Sequence, residues 1–203
     1  MRQAAGKGTD ISHIEPTALP SDYSKATMTT ESRATRTRPY VPLIVSVMAA
    51  VGVIDQILKQ TMVTVLTPGE PVYLIGDWFR LYLLFNPGAA FSMGQNSTWI
   101  FTTIQLVFVV GALLVAPRIR DKWEALGIAL IAGGALGNLI DRLFRDPGFW
   151  FGHVVDYISV GSFAVFNVAD IAINVGVAVF VLSLFLGDNN EDKDEDKDGG
   201  SNE

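Results

Sequence analysis

The sequence predicts a membrane α-helical protein with four transmembrane helices and a small extracytoplasmic β-sheet between helices 1 and 2. The chain has 203 residues, 49% of them hydrophobic, a share typical of small membrane proteins. Four apolar segments of the length needed to cross a bilayer follow one another. Between the first two lies a stretch rich in aromatic and branched residues, which favours strands. These three observations together predict the fold class.

The four apolar segments cover residues 40–58, 98–116, 123–144 and 166–186. Each is close to the ~20 residues that cross ~30 Å of hydrocarbon at ~1.5 Å per residue. Because lipid offers the backbone no hydrogen bonds, the segments must be helices. We therefore expect one four-span domain over residues 39–187.

The long connection after the first span predicts the sheet. Residues 72–75 and 78–85 are rich in aromatic and branched side chains, and Pro-Gly and Gly-Asp pairs supply turns beside them. The linker over residues 145–165 is expected to carry a further strand-like or amphipathic piece, since its Phe-Trp-Phe run suits the membrane interface.

Both ends of the chain are predicted to be disordered and cytoplasmic. Residues 1–38 are rich in Thr, Ser, Ala and charge, without apolar periodicity. Residues 188–203 hold eight acidic residues and two lysines, which accounts for the whole net charge of -6. The basic residues form no long stripe, so no nucleic-acid partner is expected.

Lysine and arginine indicate the orientation in the membrane. Basic residues precede the first span and separate spans two and three, two regions that lie on the same side of a four-span chain. They are Lys25, Arg33, Arg36 and Arg38, and then Arg118, Arg120 and Lys122. We assign this side to the cytoplasm, which predicts that both termini are cytoplasmic.

The chain contains no cysteine and only two histidines, which are far apart. This composition excludes disulfides, a thiolate nucleophile and a cysteine metal site, and it argues against a histidine zinc site. We therefore expect no metal site and no organic cofactor.

Polar residues of the spans and loops gather at one membrane face, the extracytoplasmic one. Ionisable groups at membrane depth are expensive and usually functional, and chance would have scattered some of them to the other face. The set comprises Asp55, Lys59, Asn86, Asn138, Asp141, Arg142, Asp156, Asn167 and Asp170.

Asp156 and Asp170 are the candidate catalytic residues. They lie fourteen residues apart at the edge of the last span, and two carboxylates that share one proton can activate water against a peptide bond. This pair indicates a membrane-embedded aspartyl peptidase.

Several of these residues also have a purely structural interpretation. Asn167 could cap the fourth helix. The i,i+4 pair of Asp55 and Lys59 could be only an interfacial salt bridge. Asp141 with Arg142 is expected to be structural rather than catalytic.

Two further functions stay open at this point. Ser92 or Ser97 could act as a nucleophile with Lys59 as base, as in Ser/Lys peptidases. The polar cluster could instead bind an ion or a partner helix in a small transporter or assembly factor, although polar groups confined to one face argue against transport.

Five segments, in order, resemble the lipoprotein signal peptidases (signal peptidase II). They are Asp55-Gln-Ile-Leu-Lys59, Asn86-Pro-Gly-Ala-Ala-Phe-Ser92, Gly133-Gly-Ala-Leu-Gly-Asn-Leu-Ile-Asp-Arg142, Val154-Val-Asp-Tyr157 and Phe166-Asn-Val-Ala-Asp170. The resemblance implies that Asp156 and Asp170 form the catalytic dyad. It also implies that the site is supported by Asp55, Lys59, Asn86, Gly88, Asn138, Asp141, Arg142 and Asn167.

The resemblance further implies a substrate and a location. The substrate would be a bacterial prolipoprotein whose lipobox cysteine already carries diacylglycerol, cut just before that cysteine. The protein would lie in the bacterial cell membrane in contact with membrane lipid, with its site near the extracytoplasmic face. We expect it to act as a monomer.

Overall fold

A computed structural model of the chain describes residues 39–88 and 97–198. The helices are α1 (Val41–Val65), α2 (Thr98–Val115), α3 (Lys122–Phe144) and α4 (Val168–Asp198), with a 3-10 turn (Ala116–Arg118) after α2. The strands are β1 (Val72–Ile75), β2 (Phe79–Asn86) and β3 (Val154–Val160). Among the described residues, four helices are long and apolar enough to cross a membrane. The predicted four-span arrangement is therefore confirmed.

Helix α3 is the centre of the bundle and packs against α1, α2 and α4. In its most apolar stretch 56% of the residues are buried, against 17–22% in the other three helices. Glycines make these contacts close. A methyl group on Gly134 would meet the backbone oxygen of Ala169 in α4, and one on Gly137 would lie 2.5 Å from Asp55 Oδ2 in α1. Small residues of this kind let helices approach within a membrane.

The three strands form one antiparallel sheet in the order β1-β2-β3. The first two strands lie between α1 and α2, as predicted, and the third comes from the linker between α3 and α4. The sheet packs on the end of α1 through an apolar cluster that includes Leu66, Leu83, Val155 and Tyr157. This packing fixes the sheet at the end of the bundle where α1 ends and α4 begins.

Helix α1 is longer than the sequence predicted, since it continues past residue 58 to Val65. The prediction ended the helix where the apolar run meets Lys59. In the structure the side chain of Lys59 is 0% exposed and lies between the carboxylates of Asp55 and Asp141. Because the charge is neutralised inside the bundle, it does not end the helix.

Helix α4 also differs from the expectation, because it extends through the first part of the predicted disordered tail to Asp198. Residues 188–198 contain neither glycine nor proline, and two glycines follow them. Glycine and proline are the strongest helix breakers, so residues 188–198 contain no residue that would stop the helix. The predicted N-terminal extension (residues 1–38) and residues 199–203 lie outside the described residues.

Candidate active site

Asp156 and Asp170 reach the site from two different elements. Asp156 lies in β3, opposite Leu84 of β2, and is 2% exposed. Asp170 lies in the first turn of α4 and is half-buried. Fourteen residues of chain separate them, but the turn between β3 and α4 folds back on itself and returns α4 to the sheet.

Asn167 connects the two aspartates. It precedes the first residue of α4, and its Oδ1 accepts a hydrogen bond from the backbone N–H of Asp170 at 3.0 Å. Asp170 Oδ2 in turn accepts from the backbone N–H of Asn167 at 3.1 Å, which is the reciprocal geometry of a capping box. The amide Nδ2 of Asn167 donates to Asp156 Oδ1 at 2.6 Å. The helix cap and the link between the carboxylates are thus the same side chain.

Two further asparagines occupy the remaining carboxylate oxygens. Asn86, at the end of β2, donates from Nδ2 to Asp156 Oδ2 at 2.8 Å. Its Oδ1 accepts from the backbone N–H of Gly88 at 2.8 Å, and Gly88 has a φ of 107°, a conformation that favours glycine. Asn138 of α3 donates to Asp170 Oδ1 at 2.9 Å. Each of the four carboxylate oxygens therefore accepts one N–H.

Behind this layer lies a fully buried ion cluster. Lys59 Nζ is 2.7 Å from Asp55 Oδ2 and 3.0 Å from Asp141 Oδ2, with all three side chains 0% exposed. The same Nζ donates to Asn138 Oδ1 at 2.7 Å, which fixes the orientation of that amide. Asp141 also pairs with Arg145 at 2.6 Å. The predicted pair of Lys59 with Asp55 is therefore present, and Asp141 of α3 joins it in one cluster.

Asp55 and Asp141 hold the elements that carry the aspartates. Asp55 Oδ1 accepts from the backbone N–H of Ala169 at 3.1 Å, beside Asp170. Asp141 Oδ2 accepts from the backbone N–H of Val155 at 3.0 Å, beside Asp156. Each buried carboxylate thus holds the backbone next to one of the two aspartates.

Arg142 adds positive charge to the site. Its guanidinium carbon lies 5.6 Å from the ring centre of Phe101, and Nη1 is 3.4 Å from the backbone oxygen of Gly152. Its charge acts on both aspartates of the pair and on Asp141. Within the described residues its buried Nε has no hydrogen-bond partner. The ion pair that Asp141 makes on its own helix is with Arg145, not with its neighbour Arg142.

Burial, the largest effect, raises the pKa of Asp156 from 3.8 to about 7. The nearby charge of Asp170 contributes to this rise, while hydrogen bonds from Asn86 and Asn167 and the charge of Lys59 oppose it. A carboxyl with such a pKa holds a proton near neutral pH. The arrangement thus brings a carboxylic acid close to a carboxylate, the pair required for general acid and base chemistry.

Two contributors were missed by the sequence prediction. Gln56 Nε2 donates to the backbone oxygen of Gly137 at 2.9 Å and to Asp141 Oδ1 at 3.1 Å. Arg145, which was assigned only to a loop, pairs with Asp141. Gln56 lies inside the segment between Asp55 and Lys59 that the sequence had singled out, so its position was the available signal.

Other predicted residues lie elsewhere or outside the described chain. Asn174, one turn after Asp170 in α4, is exposed and donates to the Asp170 backbone oxygen at 2.8 Å. Ser92 and the rest of the motif after Gly88 lie outside the described residues. Ser97 lies just before α2.

Comparisons with known proteins identify the family. A family model described as signal peptidase (SPase) II matches residues 47–186. A lipoprotein signal peptidase of Rhodococcus jostii is 45% identical over 146 residues, which cover 71% of this chain and 74% of that protein. One of Mycobacterium avium is 45% identical over 159 residues, which cover 77% and 87%.

The fold has solved counterparts. A bacterial membrane enzyme determined by the in meso method at 2.3 Å resolution superposes with a TM-score of 0.66, covering 76% of this chain and 94% of that one, at 23% identity. A second, at 1.9 Å resolution, gives a TM-score of 0.64. At this identity the likeness concerns the fold alone. From its sequence relatives, the chain belongs to the signal peptidase II family, multi-pass membrane peptidases that remove signal peptides from prolipoproteins.

Proposed function

We propose that this protein is an aspartyl endopeptidase in which Asp156 and Asp170 form the catalytic dyad. The observation that carries the proposal is the hydrogen-bonded group in which Asn86, Asn138 and Asn167 donate to the two carboxylates. Donors of this kind fix both carboxylates in orientation before substrate arrives, which is what positioned acid and base groups require.

Asp156 is proposed to be the acid of the pair at rest. It is the more deeply buried carboxyl, and its pKa of about 7 keeps the proton on it. Asp170, which is half-buried and accepts N–H bonds from Asn138 and from the Asn167 backbone, is proposed to be the base.

The reaction then follows as two proton transfers. Asp170 takes a proton from water, and the water oxygen attacks the scissile carbonyl while Asp156 gives its proton to the carbonyl oxygen. The resulting gem-diol collapses when Asp156 takes back a hydroxyl proton and Asp170 gives its proton to the leaving amine. The carbon–nitrogen bond breaks, and both carboxyls return to their starting states.

The proposed substrate is a prolipoprotein whose cysteine carries diacylglycerol, cut just before that cysteine. Its lipid would lie in the bilayer against the helices, and its peptide would extend along the sheet, as peptides add to sheet edges. The exposed basic residues between α2 and α3 lie at the end of the bundle away from the sheet. By the positive-inside rule, the sheet and the dyad face the extracytoplasmic side and both termini are cytoplasmic. We propose a monomer in contact with membrane lipid.

The environment of Lys59 disfavours the Ser/Lys alternative. A lysine that acts as a general base must lose its proton, which requires surroundings that destabilise its charge. Lys59 instead lies between two carboxylates and donates to an amide oxygen. These three contacts occupy Nζ, so we propose that the side chain serves the site as a structural cation rather than as a base.

A cleavage assay tests the proposal. Purified protein is mixed with a diacylglyceryl-modified prolipoprotein or with the same precursor lacking lipid, and the mature product is followed by gel shift. Wild type is expected to cut only the lipidated precursor, and Asp156→Asn and Asp170→Asn are expected to lose activity by on the order of 10⁴-fold. Asp77→Asn, an exposed acid of the turn between β1 and β2, is the matched control. Retained activity in either dyad variant would rule out the dyad.

A further inference from the structure

A cavity lies on the sheet, away from Asp156 and Asp170. It has a volume of about 310 Å³, at the lower end of ligand-pocket sizes, and its lining includes Pro71, Arg80, Tyr82, Ser159, Ser162 and Phe163. Arg80 of β2 is paired directly with Ser159 of β3. Ser159 is three residues beyond Asp156 along β3, roughly 10 Å. Side chains alternate along a strand, so the two residues point to opposite faces of the sheet.

Among the described residues, Arg80 is a partly buried cation without a counter-charge. Its Nη2 donates to Ser159 Oγ at 3.0 Å and makes only a long contact of 3.5 Å to the backbone oxygen of Gly161. Its Nε is buried without a hydrogen-bond partner in the described part of the chain. No carboxylate of the described residues lies within 4 Å of the Arg80 guanidinium. Residues 89–96, the segment before α2 that the structure does not describe, contain no acidic side chain.

An arginine in this state favours an anionic ligand. Enclosing a charge without a partner is unfavourable, and guanidinium forks match phosphate oxygens in geometry and charge. Tyr82, Ser159 and Ser162 line the same cavity, and each carries a hydroxyl, a group that can donate to the remaining phosphate oxygens. The chemistry of the lining therefore fits a phosphate group.

The position of the cavity favours a phosphate that belongs to a lipid. The lining includes Pro71, in the connection from α1 to β1, and residues 161–165 of the turn before α4, so the cavity lies at the end of the bundle where α1 ends and α4 begins. Phe163 at its rim is 71% exposed. Trp78, whose backbone oxygen accepts from Gly161 of that turn at 2.7 Å, is 61% exposed. Exposed aromatic side chains of this kind mark the headgroup region.

We propose that Arg80, with the hydroxyls of Ser159 and Ser162, forms a binding site for the phosphate of an anionic phospholipid headgroup. The site is separate from the dyad, and the proposal does not depend on the proposed peptidase mechanism. Bound lipid would hold the sheet, and with it β3, at the membrane surface.

Lipid binding to the delipidated protein in detergent tests this site. Native mass spectrometry measures the affinity for phosphatidylglycerol beside phosphatidylcholine, inorganic phosphate and an acidic peptide. We expect one phosphatidylglycerol per chain, bound at least about tenfold more tightly by wild type than by Arg80→Gln, the scale of one charged hydrogen bond. Arg120→Gln, an exposed arginine at the other end of the bundle, is expected to bind as wild type does.

Ser162→Glu is a second variant, whose result does not depend on whether Arg80→Gln folds. Ser162 is exposed, so the substitution leaves the packing intact, while its carboxylate competes with the phosphate for Arg80. Loss of phosphatidylglycerol binding in this variant, with an unchanged melting temperature, supports the site. Unchanged binding in both Arg80→Gln and Ser162→Glu would overturn it. So would displacement of the lipid by equimolar inorganic phosphate, which indicates a site for soluble anions, or by the acidic peptide, which indicates a peptide site.

Discussion

The raised pKa of Asp156 makes the stability of this protein depend on pH, and Asp156→Asn should remove that dependence. The carboxyl holds a proton up to about pH 7 in the folded protein but only up to about 3.8 in the unfolded chain. Between these values the folded state binds more protons. The contribution of this carboxyl to stability is therefore greatest at the acidic end, falls as pH rises through the window, and is lost above about pH 7.

The structure sets the size of the effect. A pKa change from 3.8 to about 7 corresponds to about 4 kcal/mol, at 1.36 kcal/mol for each pKa unit. About 3 kcal/mol of this falls between pH 5 and pH 9. The side chain is 2% exposed, so solvent screening does not reduce the value. At every pH, Asp156→Asn also lowers the free energy of unfolding by about 1–3 kcal/mol, because one of the two N–H donors, Asn86 or Asn167, then faces an amide NH₂.

Equilibrium unfolding by denaturant in detergent micelles, from pH 5 to pH 9, measures the difference between wild type and Asp156→Asn. We expect the variant to gain about 3 kcal/mol relative to wild type across this range. Asp77→Asn, an exposed acid, should follow wild type at every pH. Parallel curves for wild type and Asp156→Asn would refute the reasoning, because burial of this carboxyl would then have no energetic consequence.

Three more substitutions test the support of the site. Lys59→Met leaves Asp55 without its cation and Asp141 with Arg145 alone, and it should lower the free energy of unfolding by about 3–5 kcal/mol. The exposed Lys122→Met should change it by less than about 1 kcal/mol, and equal effects would contradict the buried cluster. Gly134→Ala meets backbone of α4 and should destabilise by about 1–3 kcal/mol. Gly111→Ala has open space and should be neutral or slightly stabilising, so a similar loss in both would exclude close packing as the cause. Asn167→Ala should lower kcat by about 10²-fold with little change in KM, because the variant no longer holds Asp156 and Asp170 in place. Steady-state cleavage rates measure both constants. A raised KM alone would argue for a role in substrate binding.

Helix existence was predictable because crossing the bilayer sets the length and apolar character of a span. The residues at which the helices end were less predictable. In the sequence, Lys59 marks the end of an apolar run, yet α1 continues past this residue to Val65. The reason is a partner on α3, Asp141, eighty-two residues away in sequence. A contact of that range leaves no local pattern, so hydropathy could not anticipate it.

The strands of the sheet were also predictable only in part. Strands β1 and β2 were predicted from branched and aromatic residues, and β1 was found at residues 72–75 as expected. The linker before α4 was only expected to hold a strand-like or amphipathic piece. Its strand, β3, exists by pairing with β2 and by the hydrogen bond from Val155 to Asp141. Both are tertiary contacts.

The sequence by itself determined the four spans, the end of the bundle at which polar groups gather, and the segments that carry them. These follow from composition and from the alternation of span ends across a membrane. Only the tertiary structure decided the partners. Asn167 both caps α4 and reaches Asp156, and Asp55 and Asp141 hold the backbone beside Asp170 and Asp156. The physical reason is that hydrogen bonds and buried ion pairs depend on distances of a few ångströms between residues far apart in the chain, which packing alone sets.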